Sequence, residues 1–258
     1  MRLFRDEISK SAKQKESNIV LALDLVEVKR SNLISKSFEI LEKTAPYICA
    51  VKLNRQLLLP LGLYGGADKI VKLTHDFGLP VIMDCKINDV GHTNVAIATH
   101  YFDAGFDAVT ASPFIGWEDG LQPVFELARQ RGKGVILLVY MSHRGAHEGY
   151  GQMVHISKGN RLRPQYEIFA ENAKLWKADG VIVGATYPEK IKAVHKILKR
   201  DVPIYAPGVG SQGGDIRAAI SAGATYLIIG RSIIYAENPA ETAKDLKETA
   251  WHASTLFN

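Results

Sequence analysis

Three charged side chains lie close together in residues 81–90, which read VIMDCKINDV. Asp84 and Lys86 alternate with Cys85 in a run typical of a β-strand. The two charged side chains therefore share one face of the sheet, and Cys85 takes the other face, where it would pack against a helix. Asp89 follows where a helix could begin. Taken alone, this pattern is also explained by a salt bridge at a strand end, with Asp89 as a helix cap.

Two more charged residues, Lys52 and Asp24, end the two strands predicted before this one. Because the carboxyl ends of the strands of a parallel barrel open at one mouth, these side chains are expected to converge with Asp84 and Lys86. Alternating charges in a partly desolvated site keep one another ionised and in position. Such an array suits a reaction that builds negative charge on carbon. Asp84 would press against a departing anionic group, and Lys86 would donate the proton.

Two glycine-containing loops predict a phosphate site. Residues 206–215 read APGVGSQGGD and follow the seventh predicted strand, while Gly230 and Arg231 follow the eighth. Loops at these two places in a TIM barrel often bind phosphate through backbone N–H groups, and glycine lets the backbone approach the anion. Arg231 adds a fork of donors, and Gln212 could bridge the phosphate to the rest of a ligand. The glycines could instead serve only to turn the chain.

The elements that would position these residues follow from the alternation of short Val- and Ile-rich runs with helical patterns, which indicates a parallel sheet. Strands are predicted at 19–23, 48–53, 80–86, 108–111, 134–140, 180–183, 203–205 and 226–229, and helices at 31–43, 93–104, 120–131, 166–177, 188–199 and 215–222. Residues 1–17 predict an extra helix before the first strand. Eight units in 258 residues favour a closed (β/α)8 TIM barrel over an open doubly wound sheet. Residues 1–258 are expected to form a single domain.

The composition excludes several classes of protein. With 47% hydrophobic and 23% charged residues the chain is not disordered, and its apolar runs are too short to span a bilayer. The amino-terminal residues lack the apolar stretch of a signal peptide, and two cysteines are too few for a disulfide scaffold. The net charge of +5 is scattered, which favours a small anionic ligand over nucleic acid. We expect a cytoplasmic protein with no nucleic-acid or membrane partner.

Together these motifs resemble the orotidine 5'-phosphate decarboxylase family. The resemblance covers nearly the whole chain after the first helix, in the family's order and spacing. It rests on LALD at 21–24, AVKL at 50–53, DCKIND at 84–89, Met141-Ser142, PGVGSQGGD at 207–215 and GRS at 230–232. The D-x-K-x-x-D pattern is shared with a sister family of sugar-phosphate decarboxylases, whereas the P-G-V-G-x-Q-G-G-D loop is more specific to the orotidylate enzymes.

The resemblance implies a cofactor-free decarboxylation of orotidine 5'-phosphate to uridine 5'-phosphate, the last step of UMP synthesis. Lys86 would protonate C6 of the pyrimidine as carbon dioxide leaves, and Asp84 would lie beside the substrate carboxylate and disfavour the ground state. Lys52 would hold Asp84 and the ribose, and Asp24 would contact a ribose hydroxyl. No metal or organic cofactor is implied.

It also implies a homodimer with shared active sites, because Asp89 and Thr93 would reach the ribose in the neighbouring subunit's site. Ser142 would bind the amide edge of the pyrimidine, where charge is delocalised in the transition state. The other substrate-binding residues that the resemblance implies are Pro207 and, at the phosphate, Gln212, Gly230 and Arg231.

The chain departs from the family at two places. Asn88 stands where a small apolar residue is usual, and residues 142–164 form a longer segment than expected, either a second lid or a floppy insertion. The histidines of that segment are too irregularly spaced to favour a metal site.

Two other functions remain open at this point. A sister-group enzyme with a magnesium-bound enediolate needs an acidic ligand after the second strand, where this chain has Lys52-Leu-Asn54. A non-catalytic phosphoribosyl-binding barrel would have no need of the charged array.

Overall fold

Eight parallel strands close into a barrel with helices between them, which confirms the predicted (β/α)8 architecture. The structure is a computed structural model that describes residues 3–26, 28–156, 161–210 and 212–257. Each predicted barrel strand is present with its ends shifted by no more than two residues. Around the barrel the strands are β1 (Ile19–Ala22), β2 (Ala50–Asn54), β3 (Val81–Ile87), β4 (Ala108–Ala111), β5 (Gly134–Tyr140), β8 (Gly180–Val183), β9 (Ile204–Pro207) and β10 (Tyr226–Ile229), which pairs with β1.

The helices include all those that the sequence patterns predict. The described helices are α1 (Phe4–Lys15), α2 (Leu33–Thr44), α3 (Arg55–Leu61), α4 (Asp68–Asp76), α5 (Gly91–Asp103), α6 (Gln122–Arg131), α7 (Ala146–Gly149), α8 (Gln165–Leu175), α9 (Pro188–Leu198), α10 (Ile216–Ser221), α11 (Arg231–Ile234) and α12 (Pro239–Phe257). The sequence patterns did not predict α3, α4, α7, α11 or α12. Of the predicted amino-terminal helix, Met1 and Arg2 lie outside the described residues. None of the described helices is both long and apolar enough to cross a membrane.

Helix α1 packs across the amino ends of the strands. Phe4 is fully buried, its N–H donates to Gly132 O at 3.1 Å, and its ring occupies the space where a side chain on Gly134 would stand. Ser11 Oγ donates to Cys49 O at 2.7 Å, just before β2. Helix α1 therefore covers the amino end of the barrel, whereas the binding site of a TIM barrel lies at the opposite, carboxyl end of the strands.

The long segment after β5 contains regular structure. It holds the helical turn α7 and an antiparallel hairpin of β6 (Met153–Ile156) and β7 (Arg161–Pro164), with residues 157–160 outside the described part. At the foot of the hairpin, Gln165 N donates to Gln152 O at 2.8 Å and Tyr166 N to Tyr150 O at 2.9 Å. The hairpin therefore leads directly into α8. This regular structure differs from the floppy insertion that was one of the two expectations for the segment.

Candidate active site

Four charged side chains of alternating sign meet at the mouth of the barrel. Lys52 lies in β2, Asp84 and Lys86 lie in β3, and Asp24 follows β1. Lys86 Nζ is 2.7 Å from Asp84 Oδ1, and Lys52 Nζ is 3.0 Å from Asp84 Oδ2. Lys52 Nζ also lies 3.7 Å from Asp24 Oδ1. The convergence that the strand ends predicted is present, and both lysines bridge to the Asp84 carboxylate.

Burial and charge act in opposite directions on this array. Burial alone would lower the pKa of the Lys52 ammonium, but Asp84 and Asp24 together outweigh it and raise that pKa above its ordinary value. Burial alone would raise the pKa of Asp84, yet Lys52 and Lys86 hold it well below its usual range. Asp84 and Lys52 are therefore both charged at neutral pH. They form an ion pair in which only 14% of the Asp84 side chain is exposed.

The pairing of β3 with β4 is interrupted by a bulge between Met83 and Ile87. Asp84 and Lys86 both face the cavity, while Cys85 is buried on the other side, as the alternation predicts. Thr110 of β4 lies across from the bulge, and its hydroxyl donates to Asp84 Oδ1 at 2.9 Å. The sequence analysis missed Thr110. A hydroxyl inside the otherwise apolar run 108–111 was the signal that could have found it.

A cavity of about 400 Å³ opens over the array, a volume that fits a small organic ligand. Nine residues predicted from the sequence line it: Asp24, Lys52, Asp84, Lys86, Ser142, Pro207, Gln212, Gly230 and Arg231. Sequence reasoning missed the apolar wall formed by Leu138, Ile182 and Ile228, because barrel residues of the same composition also fill the core. Charged groups at one end and apolar side chains beside them suit a ligand that carries both a ring and anionic groups.

The glycine-rich loop after β9 closes one side of this cavity. A side chain on Gly208, which has φ +96°, would meet Gln212 Oε1, so the amide can approach only because residue 208 is glycine. Ser211 of this loop lies outside the described residues. Three glycine N–H groups are already bonded within the loop: Gly210 N to Gly214 O, Gly213 N to Gly210 O and Gly214 N to Gly208 O. In this arrangement those three N–H groups are not free for a phosphate, whereas the side chains of Gln212 and Arg231, which line the cavity, are candidate donors.

Asp89 and Thr93 do not line the cavity of their own chain. Asp89 is exposed, and its Oδ1 accepts a hydrogen bond from Val90 N at 2.7 Å. Its main chain is held by the buried side chain of Asn94. Within one chain the structure therefore separates Asp89 and Thr93 from the four-membered array.

In the described part of the chain, no group of three His, Cys, Asp or Glu side chains is placed to hold a metal ion. His147 of the segment after β5 has its Nδ1 2.8 Å from Arg144 O. Asn54, at the end of β2, caps α3, since its side-chain oxygen accepts a hydrogen bond from Gln56 N.

A family model, protein sequences and solved structures that are similar to this chain all indicate the same family. A family model described as Orotidine 5'-phosphate decarboxylase / HUMPS family matches residues 17–246. Orotidine 5'-phosphate decarboxylase of Thermococcus kodakarensis is 38% identical over 233 residues, which cover 90% of this chain and 96% of that protein.

Two solved structures show the same likeness. The structure of Methanocaldococcus jannaschii orotidine 5'-monophosphate decarboxylase complexed with inhibitor BMP matches with a TM-score of 0.75 and 30% identity, covering 91% of this chain and 98% of that one. Leishmania donovani UMP synthase matches with a TM-score of 0.84 and 27% identity over 98% of this chain. There, this chain spans only 57% of the longer protein.

Proposed function

The chain belongs to the orotidine 5'-phosphate decarboxylase / HUMPS family, and we propose that it converts orotidine 5'-phosphate to uridine 5'-phosphate and carbon dioxide, the last step of UMP synthesis. The observation that carries this proposal is the array in which Asp84 lies between the ammonium groups of Lys52 and Lys86. A barrel that only bound a phosphorylated ligand would gain nothing from a carboxylate fixed where an anion must enter.

The proposed reaction needs one proton and no oxidant or reductant. The bond from C6 to the carboxylate breaks, carbon dioxide leaves, and the electron pair stays on C6. Lys86 then gives a proton to C6, and the neutral amine takes a proton back from water. Asp84 places negative charge beside the substrate carboxylate, and that repulsion is relieved as carbon dioxide departs.

The remaining contacts would hold the ribose. Asp24 Oδ1 is buried and has no hydrogen-bond partner among the described residues, since Lys52 Nζ at 3.7 Å is too far to donate one. A buried acceptor without a donor is costly, and a ribose hydroxyl would satisfy it. Lys52, which is bonded to Asp84, would hold both Asp84 and the ribose in place.

At the other end of the cavity, Ser142 would bind the amide edge of the pyrimidine, and Pro207 would line the substrate. Gln212, Gly230 and Arg231 would surround the phosphate. The planar fork of Arg231 matches two phosphate oxygens, and its exposed position suits an anion that enters from solvent. The positive net charge of the chain favours such a substrate.

We propose in addition that the chain is a single domain that works as a homodimer in the cytoplasm, without nucleic-acid or membrane partners. Asp89 and Thr93 would complete the ribose site of the partner subunit. The support for this is geometric, because both residues stand away from the cavity of their own chain while Asp89 remains exposed.

Catalysis is proposed to need no cofactor. The magnesium chemistry of the sister group requires a carboxylate after β2, and Asn54, which caps α3 there, supplies none. The measurement is activity before and after dialysis against EDTA, which is expected to agree. Loss of activity that magnesium or zinc restores would overturn the cofactor-free mechanism and favour the sister group.

The direct test is the ultraviolet spectrum of orotidine 5'-phosphate incubated with the protein, which should change to that of uridine 5'-phosphate. Lys86→Ala removes the proton donor and should lower kcat by at least about 10²–10⁴-fold. Lys72→Ala, a change on an exposed face of α4, is the matched control and should leave turnover unchanged. An unchanged spectrum with the intact protein would refute the proposed function.

A further inference from the structure

Thr110 connects the Asp84 carboxylate to the main chain of Lys86. Its Oγ1 accepts a hydrogen bond from Lys86 N at 2.9 Å and donates one to Asp84 Oδ1 at 2.9 Å. The residue is 1% exposed, so water cannot readily replace either bond. Because one lone pair of the hydroxyl receives the N–H, its single proton is left for the carboxylate.

The bulge in β3 explains why a side chain, and not a main-chain carbonyl, accepts the hydrogen bond from Lys86 N. Pairing with β4 runs through Met83↔Val109 and resumes at Ile87↔Ala111, so β3 has three residues where β4 has only Thr110. The regular ladder is interrupted there, and a buried N–H without an acceptor would be costly. The Thr110 hydroxyl supplies the acceptor that the strand no longer provides.

The backbone of Lys86 is also held in an unfavourable conformation. Its φ is +51°, and among the described non-glycine residues with positive φ it is the one that lies in a β-strand. A left-handed conformation is unfavourable for a residue other than glycine, and such strain persists where surrounding contacts enforce it. The hydrogen bond from Lys86 N to Thr110 is one such contact.

We propose that Thr110 is a positioning residue for the decarboxylation, an inference that rests on the proposed function. It does not line the cavity and so would not touch the substrate. Thr110 fixes the main chain of Lys86 by accepting from Lys86 N. It also fixes Asp84 Oδ1, and that oxygen in turn accepts from Lys86 Nζ at the end of the lysine side chain. A flexible lysine is thereby aimed at one point, where a displacement of about 1 Å can cost about 10²-fold in rate.

The test compares Thr110→Val with Thr110→Ser. Valine keeps the shape of threonine but has no hydroxyl, whereas serine restores the hydroxyl. We expect Thr110→Val to lower kcat by about 10- to 100-fold with little change in KM, because substrate binding does not depend on the aim of the ammonium. Thr110→Ser should recover most of the lost kcat. Thr110→Ala, which cannot clash, serves if the valine variant does not fold.

Thr74→Val is the matched control. Thr74 is fully buried in α4, and its hydroxyl donates to Ile70 O at 2.8 Å. Thr74→Val also removes a buried, hydrogen-bonded hydroxyl, and it should keep the kcat of the unmodified protein whatever thermal stability it loses. Equal kcat in Thr110→Val and the unmodified protein, an equal loss of kcat in Thr110→Val and Thr74→Val, or no recovery of kcat in Thr110→Ser would each overturn the proposal.

Crystal structures of the Thr110 variants separate this inference from the proposed function. In Thr110→Val, Lys86 should leave its left-handed φ or its ammonium should move away from Asp84, and Thr110→Ser should restore both. An unchanged Lys86 in Thr110→Val overturns the positioning role, whatever the protein's activity. Absence of orotidine 5'-phosphate turnover in the unmodified protein counts against the proposed function instead.

Discussion

The Asn94 side chain hydrogen-bonds to both the N–H and the carbonyl of Asp89, an arrangement called here the Asn94 clamp. Asn94 Oδ1 accepts a hydrogen bond from Asp89 N at 3.0 Å, and Asn94 Nδ2 donates both to Asp89 O and, at 3.0 Å, to Gly120 O. Asn94 is fully buried, so this clamp has no competition from water. The turn between β3 and α5 is fixed while the Asp89 carboxylate remains exposed, as a residue that serves a neighbouring subunit would need to be.

Replacement of Asn94 should lower both the free energy of unfolding and kcat. Asn94→Ala leaves Asp89 N–H, Asp89 O and Gly120 O without this partner, and unsatisfied buried groups cost about 1–3 kcal/mol each. We expect a clear fall in the free energy of unfolding by urea denaturation and a lower kcat. The control is Asn238→Ala, an exposed residue whose side-chain oxygen accepts from Glu241 N at 3.4 Å at the start of α12 and whose loss should cost less, about 0.5–2 kcal/mol in all. Equal free energies of unfolding for the two variants would contradict a stabilising role for the Asn94 hydrogen bonds.

A second prediction concerns Asp179, at the amino end of β8. Burial raises its pKa to about 6, although its Oδ2 accepts a hydrogen bond from Val135 N at 2.9 Å. The pKa of an unfolded aspartate is about 3.9, so the folded state binds the proton more tightly between about pH 4 and pH 6. The contribution of Asp179 to stability therefore falls as the pH rises through that window, and its charged carboxylate destabilises the fold at pH 7.

Asp179→Asn keeps an acceptor for Val135 N and removes the charge. It should raise the free energy of unfolding at pH 7 by about 1–3 kcal/mol, with the gain disappearing near pH 4, as measured by urea denaturation at both values. Asp201→Asn is the control, because Lys174 lowers the pKa of that exposed carboxyl and its neutralisation should not stabilise at pH 7. Equal effects of Asp179→Asn at pH 4 and pH 7 would rule out titration as the cause.

The sequence located the barrel and most of its site because the relevant signals are local. Val- and Ile-rich runs indicate strands, and a polar residue that ends such a run on the inward-facing side points into the mouth once the barrel closes. Asp24, Lys52 and Asp84 can be placed in this way from the order of the residues alone. Leu138 and Ile182 cannot, because an apolar strand residue looks the same whether it faces a ligand or the core.

Other features depend on contacts that no local pattern encodes. The β3 bulge arises from pairing with β4, and so the part taken by Thr110 is visible only when the strands are side by side. The glycine-rich loop lies at the cavity, but its internal bonds, such as Gly210 N to Gly214 O, depend on its folded shape. The destination of the Asp89 carboxylate depends on a second subunit and stays a prediction.

A third prediction separates phosphate binding from chemistry. Arg231→Ala should raise KM for orotidine 5'-phosphate and leave kcat/KM for orotidine, which lacks the phosphate, unchanged. The measurement is kcat/KM for both substrates. Arg217→Ala, an exposed arginine on α10 outside the cavity, is the control and should affect neither substrate. An equal loss for the two substrates in Arg231→Ala would mean that Arg231 does not act through the phosphate.

The last prediction concerns the shared site. If Asp89 serves the partner, each site combines Asp84 and Lys86 of one subunit with Asp89 of the other, and Lys86→Ala and Asp89→Asn homodimers should both be nearly inactive. In a mixed dimer of the two variants, one site then carries both lesions and the other carries neither. At equal concentrations and random exchange about half of the dimers are mixed, so about a quarter of all sites should regain full activity. Native mass spectrometry establishes that exchange has occurred. If mixed dimers form and activity stays at the level of the separate variants, Asp89 acts within its own chain and the shared site is wrong.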